Sequence, residues 1–240
     1  AELAAVEKDC CAPEDFYSTT NHKTLVRQKG EWLEVENQRM DAMIVVDDKS
    51  GGQRAACRRL RDLKQGDKVV VGMRGIRVIP ESKERDRSAF AFMSNGISSE
   101  RQVETAIRQT AALMRQCREH GQNIIVVGGP VIVHTGGVHG LSKLIQGGWV
   151  QALLAGNALG VHDIEASLLG TSLGVRQSDG RLEEHGHRNH MRAINAIYHA
   201  GGIVKAVESG RLKSGVMYEC VKAGVPIVLA GSLRDDGPLP

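Results

Sequence analysis

The chain has 240 residues, of which 41% are hydrophobic and 25% charged, and its net charge is +3. This balance is typical of a folded globular protein and excludes an intrinsically disordered one. Aromatic residues make up only 3%, so a nucleic-acid binder, which needs a strong basic bias or stacking aromatics, is disfavoured.

Residues 1–80 predict a small strand-rich α+β domain. The segment 25–36 is typical of a hairpin that turns at a Lys-Gly pair. Segments 42–46 and 68–71 are apolar and predict two further strands. Between them, the basic segment 53–63 predicts a short helix.

A charged, polar connector over residues 81–99 separates this domain from the rest. Ser99 and Gln102 have capping-box spacing, and the apolar residues that follow predict a helical face of Val103, Ile107, Ala111 and Met114. The later elements are then predicted in this order: strand 123–127, helix 138–147, strand 150–154, helix 158–169, helices at 189–199 and 214–222, and strand 226–230.

This alternation of strands and helices predicts parallel βαβ units. We therefore expect an α/β fold in which residues 100–240 form a Rossmann-like parallel sheet. Three clear strands are few for such a sheet, so we expect this second domain to continue beyond residue 240. No apolar run reaches the roughly 18–20 residues that cross a bilayer.

Glycine-rich turns are the strongest functional signal in the second half of the chain. Because glycine has no Cβ, such turns let backbone N–H groups approach a phosphate, which predicts a nucleotide or dinucleotide pocket. The G-x-G-x-x-G fingerprint is absent, and ordinary loop glycines are the alternative. The candidate cofactor-binding residues are Gly128, Gly129, Thr135, Gly136, Gly137, Gly156, Asn157, Ala158, Gly170, Thr171, Ser172, Gly231 and Ser232.

Three charged segments are candidates for chemistry. The His162-Asp163-Ile164-Glu165 segment is suited to proton transfer or ribose binding, or holds acids near a helix start. The segment His185–His190 has H-x-H-x-x-H spacing, but a solvated or substrate-facing loop is favoured over a metal site, so no metal is assigned. Arg192 and Arg234 are each suited to pair with a carboxylate, and Arg234 with a phosphate also.

At these motifs the sequence resembles the LOR/SDH conserved-region family, named for lysine-oxoglutarate reductase and saccharopine dehydrogenase. That family includes archaeal NAD-dependent ornithine cyclodeaminases and the C-terminal half of the cyanobacterial arginine dihydrolases. His185 departs from the pattern, where a second glycine is expected. The motifs that carry the resemblance are Ala12–Asn21, Met40-Asp41, Gly66–Val78, Gly129-Pro130, His134–Gly137, Gly156–Ala158, His162–Glu165, Gly170–Gly174, His187, His190, Asn195, Gly231-Ser232 and Arg234–Pro240.

The resemblance implies an NAD domain of the deoxyhypusine-synthase type behind a substrate-side first domain, with further strands before residue 1. It also implies an ornithine cyclodeaminase: hydride passes from Cα of L-ornithine to NAD, the terminal amine closes the ring, ammonia leaves, and the returning hydride gives L-proline. For proton transfer we assign Asp163 and Asp235, with His162 as the alternative. For substrate binding we assign Arg234 to the carboxylate, then Arg192, with Asn21.

Two other functions stay open at this point. One is an NAD(P)-dependent amino-acid dehydrogenase of the saccharopine or lysine type, and the other is a non-catalytic nucleotide-binding module. The expected partners are ornithine and further copies of the chain, in a homo-oligomer such as a tetramer, without nucleic acid or membrane. The five cysteines include no C-x-x-C pair, which favours reduced thiols in a cytoplasm.

Overall fold

The computed structural model describes residues 1–49, 52–80, 99–172, 175–176, 186–231 and 239–240. The N-terminal part forms one sheet of seven strands, in the spatial order first, sixth, fourth, fifth, third, second and seventh. Its strands are β1 (Glu2–Ala5), β2 (Lys23–Gln28), β3 (Glu31–Glu36), β4 (Met43–Lys49), β5 (Gly52–Arg58), β6 (Lys68–Val71) and β7 (Ile76–Ile79).

The N-terminal sheet confirms four predicted strands and corrects one predicted helix. The hairpin of β2 and β3 and the strands β4 and β6 lie where the sequence predicts them. The helix predicted over residues 53–63 is wrong, because β5 pairs with β4 from Met43 opposite Arg58 to Lys49 opposite Gly52. Only Leu60–Asp62 is helical, as a 3₁₀ turn. The long antiparallel pairing outweighs the helix propensity of the Ala and Arg residues.

The C-terminal part alternates strands and helices. Its elements are α1 (Ser99–Glu119), β8 (Ile125–Gly128), α2 (Val131–His134), α3 (Val138–Gln146), β9 (Ala152–Gly156), α4 (Asn157–Leu169), β10 (Thr171–Ser172), β11 (Val175–Arg176), α5 (Asn189–Ala200), α6 (Ile203–Glu208), α7 (Val216–Ala223) and β12 (Ile227–Ala230). The parallel strands lie in the order β12-β9-β8, which confirms the predicted α/β class. The sequence did not predict α2, α6 or the β10-β11 hairpin.

Among the described residues, one face of this parallel sheet packs against helices, whereas side chains on the other face are exposed. Leu153 of β9 is fully buried among apolar side chains of α3, α4 and α7. Side chains alternate along a strand, so Val127 and Val228 point to the other face, where they are 80% and 56% exposed. The predicted apolar face of α1 is also open, since Val103 and Ile107 are more than half exposed. Within the described residues, no helix combines the length and apolar character needed to span a bilayer.

Helix α5 joins the N-terminal sheet to the C-terminal part. Met191 packs in the same apolar cluster as Phe16 and Met43. Further along the helix, the side-chain amide of Asn195 accepts a hydrogen bond from the N–H of Ala12 and donates one to its carbonyl. The helix therefore fixes the segment around Ala12 against the parallel-sheet region. The predicted domain boundaries fall around the segment 81–98, outside the described residues, and stay a prediction.

Candidate functional site

The carboxyl ends of the three parallel strands lie side by side at one edge of the sheet. Gly128 pairs with Ala155, and Gly156 pairs with Ala230 at the end of the neighbouring strand. Helix α4 begins directly after Gly156, which has no side chain to cap it. An uncapped helix N-terminus approached by glycine turns is suited to bind an anion. This edge therefore brings together the predicted cofactor residues Gly128, Gly156 and Gly231.

Four predicted cofactor residues use their side chains within the fold, and one of them, Ser172, lies at hydrogen-bond distance from His134. The amide oxygen of Asn157 accepts a hydrogen bond from the N–H of Leu239 at 2.9 Å. The hydroxyl of Thr135 donates to a carbonyl in the preceding turn of α2, and that of Thr171 donates to Glu165. At these positions a cofactor contact would therefore come from the backbone.

The remaining predicted cofactor residues fall at two places rather than one. Gly129 and Ala158 lie beside the strand ends, at the start of the turn after β8 and in the first turn of α4. Gly170 ends α4 at its other end, with a φ of +69°. Since α4 has 13 residues, its two ends are about 20 Å apart. The prediction of one shared cradle therefore does not hold for Gly170 and the two residues after it.

A network of polar side chains lies where the second half of α4 meets α2, β10 and α5. Most of its members are buried, and they come from four separate elements of the chain. Helix packing therefore creates the network, since few of its members are neighbours in the sequence. We call it the polar network, and its members are His134, His162, Glu165, Thr171, Ser172 and Asn189.

Glu165 lies at the centre of the polar network and is fully buried. Its Oε1 accepts a hydrogen bond from the hydroxyl of Thr171 at 2.8 Å, and its Oε2 lies 3.0 Å from Nδ1 of His162. The Thr171 hydroxyl in turn accepts a hydrogen bond from the amide of Asn189 at 2.9 Å. A buried carboxyl group is costly unless it has such partners, so these contacts hold Glu165 in place.

His134 and Ser172 extend the network toward solvent. The hydroxyl of Ser172 lies 2.9 Å from Nδ1 of His134, and the rings of His134 and His162 have centroids 5.1 Å apart. Burial lowers the pKa of His134, the neighbouring His162 lowers it further, and Glu165 acts in the opposite direction. His134 is therefore neutral near pH 7 and able to accept a proton.

A cavity of about 890 Å³ opens beside His134 and Ser172. Helices α3, α4 and α7 and strand β11 supply most of its walls, and the predicted residue Gly136 lines it. Its size suits a small organic ligand, since such sites measure roughly 300–1,000 Å³. Its titratable and charged lining residues are His134, His139, Lys143, Asp163, Arg176 and Glu219.

Asp163, predicted to transfer protons, borders another part of this cavity and caps a helix. Its carboxylate accepts hydrogen bonds from the N–H groups of Val216 and Met217, both at 2.8 Å, at the start of α7. Burial raises the pKa of Asp163 to about 6, and the two N–H donors oppose this rise. The residue before α7 is Gly215, which has no side chain to cap the helix. The predicted catalytic role of Asp163 therefore stays a prediction.

The two predicted substrate-binding residues in the described chain lie away from the polar network. Arg192 lines a separate cavity of about 380 Å³, together with Glu14 and Asp15. Asn21 is exposed just before β2 and lines neither of the two cavities described. The structure therefore does not bring Arg192 or Asn21 together with His162.

Three predicted site residues, Ser232, Arg234 and Asp235, lie outside the described residues. Their predicted roles in cofactor binding, carboxylate binding and proton transfer therefore stay predictions. Gly231, the last described residue before them, is exposed at the end of β12.

The histidine-rich segment before α5 is described only in part. His185 and the side chain of His187 lie outside the described part of the structure. Nε2 of His190 lies 3.3 Å from the Asp41 carboxylate, which connects this segment to the N-terminal part. In the described ranges, no group of three or more His, Cys, Asp or Glu side chains is placed to hold a metal ion.

The sequence-based assignment missed His134, Glu165 and Asn189. A signal existed for Glu165, because His162 and Glu165 are three residues apart in a predicted helix and such residues share one face. His134 is the last residue of a four-residue helix that the sequence did not predict. Asn189 reaches the network only because α5 packs against β10, which no local pattern indicates.

Comparison with known protein families gives two matches, which adjoin each other along the chain. Residues 108–240 match the family described as "Arginine dihydrolase ArgZ-like, C-terminal, Rossmann fold". Residues 23–107 match the companion family described as "Arginine dihydrolase ArgZ-like, C-terminal, first region". The two matches together span most of the chain.

Curated relatives and a solved structure agree with these matches. The chain is 55% identical over 245 aligned residues to an ornithine cyclodeaminase of Methanocaldococcus jannaschii and 51% identical over 243 to AgrE of Nostoc, a bifunctional arginine dihydrolase/ornithine cyclodeaminase. All of the chain aligns in both cases, but it spans only 57% and 35% of those proteins. The crystal structure of AgrE with ornithine and NAD⁺ matches the whole chain at a TM-score of 0.86 and 49% identity, over 33% of its own length.

Proposed function

Because the chain belongs to the ArgZ-like C-terminal family, we propose that it is part of an ornithine cyclodeaminase that converts L-ornithine to L-proline and ammonia. The observation that carries the proposal is the similarity along the whole chain to a relative solved with both ornithine and NAD⁺. The predicted membership of the LOR/SDH type of ornithine cyclodeaminase is confirmed at the level of the family.

The edge of the parallel sheet fits NAD. A Cβ at Gly156 would have a single neighbouring atom, the Ala230 carbonyl oxygen at 4.0 Å, and one at Gly129 would have none within that distance. A pyrophosphate therefore has room to approach the first turn of α4, as in other dinucleotide sites. We propose that Gly128, Gly129 and Gly156 and the first-turn N–H groups of α4 hold the phosphates. Bound NAD would supply the acceptor and the donor of the hydride at Cα.

The large cavity is the proposed substrate site. Ornithine carries one carboxylate and two amino groups, so its site needs a cation and groups that exchange protons. Lys143 and Arg176 line the cavity and are placed to attract the carboxylate. His134 and Ser172 line the same cavity and provide polar contacts for an amino group. Arg192 lies at the smaller cavity, so we do not place it at the carboxylate.

The proposal is tested on the full-length protein with NAD and L-ornithine. We expect mass spectrometry to detect L-proline and ammonia in equal amounts, without lasting accumulation of NADH, because cyclodeamination has no net redox change. Steady accumulation of NADH with an amino acid would instead support a dehydrogenase. Binding of NAD without formation of proline would support a nucleotide-binding module.

Two further predictions accompany this function. A homo-oligomer, such as a tetramer, is expected and is tested by light scattering of the full-length protein. A reducing, cytoplasmic location is also expected from the cysteine pattern of the sequence. That location is tested by cell fractionation.

A further inference from the structure

We propose that His134 is the acid–base group that exchanges protons with ornithine, and that His162 and Glu165 are positioning residues that set its protonation. This inference rests on the proposed function and deepens it. It departs from the sequence-based assignment, in which Asp163, Asp235 and His162 transfer protons. His134 begins the motif His134–Gly137, and no role was predicted for it from the sequence.

The reaction requires proton movements as well as hydride transfer. The α-ammonium of ornithine must lose a proton before electrons leave the Cα–H bond. The terminal ammonium must lose a proton before its nitrogen bonds to Cα, and the α-nitrogen must gain one as its bond to Cα breaks and ammonia leaves. The hydride that leaves Cα returns to it, so atoms and electrons balance. A group with a pKa near neutrality serves both directions of proton transfer.

The position of His134 suits this task better than the other titratable groups of the polar network. His134 lines the large cavity, and its Nδ1 is 2.9 Å from the Ser172 hydroxyl, which fixes the ring. Glu165 is fully buried, so it has no access to a substrate, and the side chain of His162 is only 11% exposed. The carboxylate of Asp163 accepts two backbone hydrogen bonds.

The charges around His134 have opposite effects on its protonation. Burial and His162 lower its pKa, whereas Glu165 raises it. Glu165 and His162 are 3.0 Å apart, so the two neighbours are themselves coupled. Other charged or titratable groups also face the cavity, from α3, α4, β11 and α7. They are His139, Lys143, Asp163, Arg176 and Glu219.

The decisive experiment compares one substitution and its control in the full-length protein. We expect His134→Gln to lower kcat for proline formation by at least about 100-fold, because it removes the acid–base group. The dissociation constant for NAD and the melting temperature should change little. His120→Gln is the matched control, since His120 is an exposed histidine at the end of α1, away from the cavity.

The positioning role is tested by the direction of two pH shifts. Because neutral His134 is the active form, kcat/KM falls as pH falls through its pKa. Glu165→Gln removes a charge that raises this pKa, so the acidic limb should move to lower pH. His162→Gln removes a group that lowers it, so the limb should move to higher pH. The exposed Glu208→Gln, on α6, is the control for the first change.

Nuclear magnetic resonance titration of the His134 ring in the NAD-free protein gives a second readout that needs no activity. The same opposite shifts of its pKa support the inference, whereas shifts in one direction, or none, overturn the positioning role. Wild-type turnover in His134→Gln overturns the catalytic role while leaving the proposed function intact. A wild-type protein that forms no proline contradicts the proposed function, and the titration still decides the positioning role.

Discussion

Helix α4 carries two buried carboxyl groups that the fold uses differently. Glu165 is held by side chains, with His162 on one oxygen and Thr171 on the other. Asp163, two residues earlier on the same helix, is held by backbone N–H groups of α7. A histidine partner exchanges protons near neutral pH, whereas a peptide N–H does not. The comparison therefore supports the proposal that the proton transfer takes place near Glu165, while the proton-transfer role predicted for Asp163 stays a prediction.

The largest expected effect tests how tightly the Asp163 region is packed. Gly215 has a φ of +99°, and a Cβ there would lie 2.7 Å from Oδ2 of Asp163. We expect Gly215→Ala to lower the free energy of unfolding by about 2–5 kcal/mol, from backbone strain and overpacking together. Urea unfolding measures the change.

A matched glycine separates the two causes of that loss. Gly210 has a φ of +71°, and its added Cβ would meet only the Lys213 side chain at 3.8 Å. Gly210→Ala should therefore show the strain alone, about 1 kcal/mol. Equal losses in the two variants would show that contact with Asp163 adds nothing.

The next effect is the pH dependence of stability. The folded protein holds the Asp163 proton up to about pH 6, while an unperturbed Asp has a pKa of 3.8. The stability that this proton provides is therefore complete below about pH 4 and is lost as pH rises through about 6. The difference corresponds to about 3 kcal/mol in the free energy of unfolding. Urea unfolding across this range should show the decline in wild type and not in Asp163→Ala.

A smaller effect is expected from the loss of the cap itself. Asp163→Ala leaves the N–H groups of Val216 and Met217 without an acceptor, which we expect to cost about 2 kcal/mol. As a cap, Asp163 should not govern chemistry, so kcat should fall by less than the roughly 100-fold typical of a lost acid–base group. Asp9→Ala, at an exposed carboxylate, is the control. A larger fall in kcat with unchanged stability would restore Asp163 as a proton-transfer residue.

The smallest effect probes the Glu165 region. Thr171→Val keeps the shape of the side chain but removes the hydroxyl that joins Glu165 to Asn189. We expect the free energy of unfolding to fall by about 1 kcal/mol and the acidic limb of kcat/KM to move, because Glu165 loses a side-chain hydrogen-bond partner. A stability loss without any change in the pH profile would make the polar network purely structural.

The sequence predicted the C-terminal part better than the N-terminal part. Helices α3, α4, α5 and α7 begin and end within about three residues of the predicted positions, because their apolar periodicity and glycine boundaries are local signals. Strand β5 was mistaken for a helix, since Arg and Ala favour helices until a partner strand is available. The short helix α2, which places His134, has too few residues to show periodicity.

The candidate site was also predicted only in part, because the sequence shows local motifs but not the contacts between distant elements. The glycines at the strand ends and the His162–Glu165 segment are visible as motifs. The partner of Asp163 comes from α7 and that of Glu165 from β10, and both elements reach α4 only in the folded chain. The glycine turn at residue 170 was grouped with the strand ends because glycine-rich turns share one local pattern, although the helix predicted over residues 158–169 lies between them.

The sequence by itself determined the α/β class, the glycine-bounded strand ends and the family, because periodicity and motifs are encoded over short stretches. Only the tertiary structure decided which polar side chains meet: His134 with Ser172, Glu165 with Thr171, and Asp163 with the start of α7. The physical reason is that helix packing sets these contacts, and packing depends on residues far apart in the chain.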